Sequence, residues 1–193
     1  MSAPKHDMRT IMGHFATGVC VISTRRQDGS PVATTVNAVT SVSLDPPLLL
    51  VCLAHDSETL AAIRACSRFA VNILAESQRE HSIRFAAKGQ GARAQEVEFS
   101  EHDHGVPCLP NALATLACRV SAIHEAGDHV IVVGEALSMS SADSDVTPLL
   151  FFRGAYSRLE RQRPAREHPE RGRSAAPKPR TRHRRVAVLE RVS

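Results

Sequence analysis

The chain has 193 residues, enough for one domain with a sizeable core and too few for a second full one. Its formal charge of +4 conceals a division: residues 1–160 carry 13 Lys/Arg against 17 Asp/Glu, whereas residues 161–193 carry 11 against 3. An acidic body with a basic appendage excludes reading the sequence pI of about 9.0 as a property of the fold, and no apolar run approaches the roughly 18 residues of a membrane-spanning helix.

The opening string MSAPKHDMRTIMG lacks the basic and then apolar blocks of a signal peptide. Residues 1–10 therefore read as a short extension, and a reducing cytoplasm is the expected compartment. HFATGVCVIS over 14–23 is rich in β-branched and small residues, and RRQDGSP after it carries Asp-Gly and Gly-X-Pro turn signals. The pattern predicts a hairpin that continues into VATTVNAVTSVSL. Asp45-Pro46-Pro47 then breaks any helix, because proline lacks a backbone donor and pushes its predecessor into extended geometry. LLLVCLA over 48–54 is expected to be a fully buried strand.

Ser57 is placed to cap a helix through TLAAIRAC, with Leu60, Ile63 and Ala61 at helical spacing and Glu58 in the first turn. FAVNILA is another strand, and SQREHSIRFAA over 77–87 a second short helix. The polar connection KGQGARAQEVEFSEHDHGVPCLP is long enough to suggest function rather than mere linkage. ALATLACRVSAIHEA and DHVIVVGEALSMSS flank Ala126-Gly127-Asp128 and predict an antiparallel pair. PLLFFRGAYSRL closes the domain at residue 160. Six or more strands and two or three short helices, without βαβ alternation, predict a mainly β fold, a β-barrel with peripheral helices. Beyond residue 160 an Arg/Pro/Ala/His composition cannot bury enough apolar surface to offset its ordering entropy, so disorder is expected over 161–193.

The five cysteines (Cys20, Cys52, Cys66, Cys108, Cys118) stand singly, with no CxxC pair, and read as buried apolar groups. His102-Asp103-His104 lies on one loop with no matching Cys or His pair, so no metal site is expected. No GxGxxG string precedes a helix, which argues against a Rossmann nucleotide domain. The tail RGRSAAPKPRTRHRR carries charge for a nucleic acid but no aromatic residue to stack on bases, so nucleic-acid binding is not expected.

Read in order, HFATGVCVIST, TVNAVTSVSLDPPLLLVCL, DSET, RFAVNIL, IRFAAK, AGDHVIVVGEAL and PLLFFRGAY resemble the flavin-reductase-like family, the short-chain reductases of two-component flavin-dependent monooxygenases. The likeness runs from residue 11 to residue 156. It implies an FMN-binding split β-barrel of Greek-key type, a homodimer, FMN or FAD as cofactor, and NADH or NADPH as co-substrate. The implied activity is hydride transfer from nicotinamide to flavin, with reduced flavin passed to a partner monooxygenase. Such chemistry asks the protein for position and electrostatics rather than for a catalytic triad.

By this resemblance Thr35, Val36, Asn37, Ala38 and Ser41 lie along the flavin ring, with Cys52 and Leu53 on the neighbouring strand. Ser57, at a helix start, and Arg84-Phe85-Ala86 are the expected phosphate contacts. His129, in the Gly-Asp-His turn, is expected to position the nicotinamide, and Arg153, Gly154 and Tyr156 to border the nucleotide. From the residues alone, Ser57 equally reads as a plain helix cap, Arg84 as a solvated residue, and Phe151, Phe152 and Tyr156 as core aromatics. The loop GQGARAQEVEF departs from the family pattern: Arg93 stands for its basic residue, but Ala94 replaces its aromatic one. A flavin-holding carrier or sensor without turnover is the alternative from another functional class.

Overall fold

A computed structural model of the chain describes residues 7–159, except 88–93, 95, 102–103 and 143–144. The chain divides into a unit Met1–Glu160 and a unit Arg161–Ser193. The expectations for the basic tail, for Arg93 and for His102-Asp103 fall outside the described residues.

Chain order begins with α1 (Met8–Met12) and the short strand β1 (Thr17–Gly18). The expected first hairpin is β2 (Cys20–Arg25) paired with β3 (Pro31–Val36). The string VATTVNAVTSVSL is not one strand, because the chain leaves β3 at Val36 and starts β4 (Val39–Leu44) after Asn37 and Ala38. Asp45-Pro46 turns β4 into β5 (Pro47–Ala54), pairing Leu44 with Pro47. Next come α2 (Glu58–Cys66), β6 (Arg68–Ile73), a 3₁₀ turn at Glu76–Gln78 and α3 (Arg79–Ala86). Within the long connection lie β7 (Ser100–Glu101) and β8 (Pro107–Cys108), which pair with each other.

The long hairpin β9 (Ala114–Ala126) and β10 (His129–Ser141) turns at Gly127-Asp128, where Gly127 takes a positive φ of 66°. Finally β11 (Leu150–Phe152) and β12 (Ala155–Ser157) form a tight hairpin with β1 alongside β11. Its two turn residues, Arg153 and Gly154, both have positive φ, the requirement of a mirror-image hairpin turn. The mainly β architecture expected from the sequence is thus present, and no helix among the described residues is long and apolar enough to cross a membrane.

One antiparallel sheet of seven strands, ordered β3-β2-β6-β9-β10-β5-β4, organises the domain. Its two edge strands are consecutive in sequence, and the three Cα steps from Val36 to Val39 reach at most about 11 Å. The edges must therefore approach each other at that link, so the sheet is strongly curled. Inside the curl pack Ile22, Leu49, Val51, Leu53, Phe69, Val71, Val130 and Val132, with Leu60 and Ile63 from α2. On the other side of β2, Val19 and Val21 meet Leu74, Phe85, Leu109 and Leu149. Because β2 is covered on both faces, it reads as a continuous apolar run rather than an alternation.

Three expectations need correcting. The cysteines are not all buried, since Cys66 is exposed and Cys52 half-buried. Strand β5 is not fully buried: Leu49, Val51 and Leu53 face the core, whereas Leu48, Leu50 and Cys52 are half-buried. A strand in a curled sheet has an inner and an outer face, and an apolar outer face hides the alternation. In α2 it is Ala62, not Ala61, that is buried beside Thr59, Leu60 and Ile63.

Buried polar groups in the core satisfy one another. Asn72 Nδ2 donates to the Val21 carbonyl and to Ser23 Oγ at 2.9 Å, its Oδ1 accepts from the Leu109 amide at 2.7 Å, and Ser23 Oγ donates to the Pro107 carbonyl. These bonds tie β2, β6 and the connection around β8 together.

Candidate functional site

Beside the β3–β4 link the fold leaves a cleft of about 750 Å³. One wall is the link and the sheet edge, Asn37 to Ser41. The floor is apolar, formed by Cys20, Leu49, Leu50, Val71, Ile73 and Leu116 with Cys52. The other wall is a strap from the N-terminal region, Met12 and Phe15 to Gly18.

Backbone bonds hold both walls. The Cys52 amide donates to the Ala38 carbonyl at 3.0 Å, fixing the link against β5. A bulge places the extra residue Val42 between Ser41 and Ser43 along the β4–β5 ladder, a local twist of the kind found at rims and sites. The strap is pinned by pairing of Thr17 with Phe151 and Gly18 with Leu150, and by the Arg153 amide donating to the Gly13 carbonyl at 2.8 Å.

Two features of the strap stand out. Thr17 Oγ1 is buried and has no hydrogen-bond partner among the described residues. A Cβ built at Gly18 would meet nothing within 4 Å, so the glycine faces open space. In the floor, burial pushes the Cys20 thiol up to about 12 and raises the Cys52 thiol above its ordinary value. Both therefore act as protonated, apolar lining rather than as nucleophiles.

Of the residues singled out in the sequence, Asn37, Ala38, Ser41 and Cys52 come together in this cleft. Thr35 and Val36 lie just before it: Thr35 Oγ1 donates to the Ser82 carbonyl at 2.8 Å, and Val36 packs on the core. Leu53 is buried in the core itself. Phe85 is buried beneath α3 with its ring 6.2 Å from Phe99, Arg84 pairs with Glu96 at 2.7 Å, and Ala86 is exposed. Ser57 caps α2, its Oγ accepting from the Leu60 amide at 3.3 Å.

His129 stands at a different place, the start of β10 opposite Ala54. Its Nδ1 lies 2.8 Å from Asp128 Oδ1, and this contact holds the Asp128 carboxyl below its ordinary value. Around it, His55 Nε2 lies 3.2 Å from Glu125, which also accepts from Arg64 at 2.7 Å. Tyr156 packs edge-on to Phe151 at 5.5 Å, shares a 2.8 Å hydrogen bond with Ser82, and lies under Arg79. Arg153 stacks over Phe152 at 5.1 Å, beside Gly154 in the hairpin turn. The sequence reading missed the strap: Ala16-Thr17-Gly18 read only as the start of a strand, although consecutive small residues were a signal for close approach.

A cleft with an apolar floor and few polar groups suits a flat organic ligand. Residues 12–160 match the family model of the flavin reductase like domain. The chain is 40% identical over 154 residues to FMN reductase (NADH) SmoA of Agrobacterium fabrum, covering 80% of this chain and 86% of that protein. It is 35% identical over 161 residues to HsaB of Mycobacterium tuberculosis, the reductase subunit of a flavin-dependent monooxygenase, covering 83% and 85%. Among solved structures, flavin reductase PheA2 superposes with a TM-score of 0.73 at 38% identity, over 81% of this chain and all of that one. With the motifs in order, the curled sheet and the cleft in place, the chain belongs to the flavin-reductase-like family.

Proposed function

We propose that this chain is an NAD(P)H:flavin oxidoreductase that supplies reduced FMN or FAD to a partner monooxygenase. The observation that carries the reading is the cleft bounded by Asn37, Ala38 and Ser41, in a chain of this family. A volume of about 750 Å³ lies within the range of cofactor sites. The Cβ-free position at Gly18 leaves room beside the cleft for a planar ring. Flavin, when bound, supplies the acceptor for the hydride of the nicotinamide nucleotide.

The protein's own part is to orient and to exclude. The Asn37–Ser41 wall holds the ring edge, and the Cys20 and Cys52 thiols keep the floor apolar. Ser57, at the α2 N-terminus, and Arg84-Phe85-Ala86 are assigned to the phosphate side, where free helix amides and a cation favour an anion. His129, held by Asp128, is assigned to the nicotinamide, with Arg153, Gly154 and Tyr156 along the nucleotide. The reading extends to a split β-barrel of Greek-key type over 11–160 and a homodimer in the cytoplasm, with the basic segment 161–193 outside the reductase domain.

The test is oxidation of NADH and of NADPH by the purified full chain with no flavin, with FMN and with FAD. The relative SmoA is named for FMN and NADH, and that pair is expected to turn over fastest here. Turnover that depends on added flavin supports the reading. Flavin binding without turnover for any pair would overturn it in favour of a carrier or sensor.

A further inference from the structure

The phosphate side assigned above contains one cation, Arg84, and that cation already has an anion. Arg84 Nη1 donates to Glu96 Oε2 at 2.7 Å, with both side chains partly exposed. A surface pair of this kind contributes little to the fold. The segment that carries the carboxylate is nevertheless fixed by packing. Ala94 is fully buried, the Val97 amide donates to the Ala94 carbonyl at 3.2 Å, and Val97 and Phe99 pack on the cluster that contains Phe85. The Phe85 and Phe99 rings lie 6.2 Å apart. Because Phe85 follows Arg84 directly, Glu96 is anchored on the same turn of α3 as the cation it meets. That helix is tied to the strand leading into the cleft, since Thr35 Oγ1 donates to the Ser82 carbonyl at 2.8 Å, and Arg84 lies half a turn further along.

A guanidinium bonded to a carboxylate offers less to a phosphate, because its charge is balanced and part of its donor fork is used. A phosphate reaches Arg84 only by displacing Glu96, and until then the carboxylate repels it. We infer that Glu96 is an internal competitor of the flavin phosphate for Arg84, a residue that sets the affinity for FMN or FAD by keeping the phosphate loosely held. This inference rests on the reductase reading and adds to it a residue from the loop that departs from the family pattern. Loose hold suits a protein that hands its flavin on, since binding strength withheld from the phosphate shortens the life of the complex. Competition of this kind acts only on ligands that carry a phosphate. Riboflavin, the same ring without one, is therefore the internal control.

The test is the affinity of the full chain for FMN, FAD and riboflavin, read from quenching of flavin fluorescence, in the unmodified chain, Glu96→Gln, Arg84→Gln and the double variant. Glutamine keeps the size of the side chain and removes its charge. In Glu96→Gln the affinity for the phosphorylated flavins should rise about three- to ten-fold, the scale of one surface charge pair gained and one repulsion lost, while riboflavin stays within about two-fold. The rise should narrow as salt is added. In the Arg84→Gln background the same substitution should gain less than about two-fold. Because riboflavin is compared within each variant, a change in stability does not imitate the result. A phosphorylated flavin that gains no more than riboflavin overturns the proposal, as does a gain that persists in full without Arg84; flavin-dependent turnover then leaves the reductase reading standing. An unmodified chain that binds no flavin at all overturns both.

Discussion

Asn72 and Thr17 both place polar groups inside the domain, and the chain treats them in opposite ways. Asn72 sits fully buried on β6, and its amide satisfies three partners from two other segments. Thr17, on the wall of the cleft, has a buried hydroxyl that meets none among the described residues. The glycines repeat the contrast: Gly134 is required because the Phe69 ring occupies the space of its side chain, whereas Gly18 borders empty space. A folded chain completes its own contacts where they serve only the fold. Incomplete contacts collect where a ligand is meant to finish them.

The sharpest way to press this contrast is Asn72→Leu. It strands the Leu109 amide in the core and removes the donor that Ser23 Oγ and the Val21 carbonyl accept from, and the loss should be about 3 kcal/mol or more, measured by urea unfolding. A loss below about 1 kcal/mol would mean that the network is dispensable and the contrast with Thr17 empty.

Gly134→Ala comes next. The added methyl would press on a ring that is itself fully buried, which should cost about 2 kcal/mol. If Gly134→Ala and Gly18→Ala changed stability alike, the distinction between a packing glycine and a site glycine would collapse.

Thr17→Val carries the smallest effect and the opposite sign. Replacing an unsatisfied buried hydroxyl with a methyl of the same shape should leave the flavin-free protein as stable as before, or more stable by up to about 1 kcal/mol. A destabilisation above about 1 kcal/mol without flavin would show that the hydroxyl already has a structural task.

What the sequence made legible was mostly local. The Asp-Gly turn between β2 and β3, the Ser57 cap, the Asp45-Pro46 corner and the Gly127 turn all follow from backbone preferences of a few residues, and each lies where those preferences put it. The two faces of β5 were not legible, because Leu48, Leu50 and Cys52 are as apolar outside as Leu49, Val51 and Leu53 are inside. Nor was the break at Asn37-Ala38, where the chain passes from one sheet edge to the other; that depends on strand pairings made far away in sequence. Asn37, Ala38, Ser41 and Cys52 were reached through family resemblance, since periodicity left the first three on a half-buried strand and Cys52 in a fully buried one. The strap escaped for a related reason. Its position is set by β11, from the far end of the domain, and no local pattern in Ala16-Thr17-Gly18 announces that partner.

The central claim is that the flavin ring lies in the cleft between the strap and the Asn37–Ser41 wall. A crystal structure of the full chain with FMN bound addresses it most directly. The predicted result is a ring seated in the cleft against the Asn37–Ser41 wall, in contact with Cys20 and Cys52. A ring ordered instead beside Ser57 and His129, with the cleft left to solvent, would contradict it.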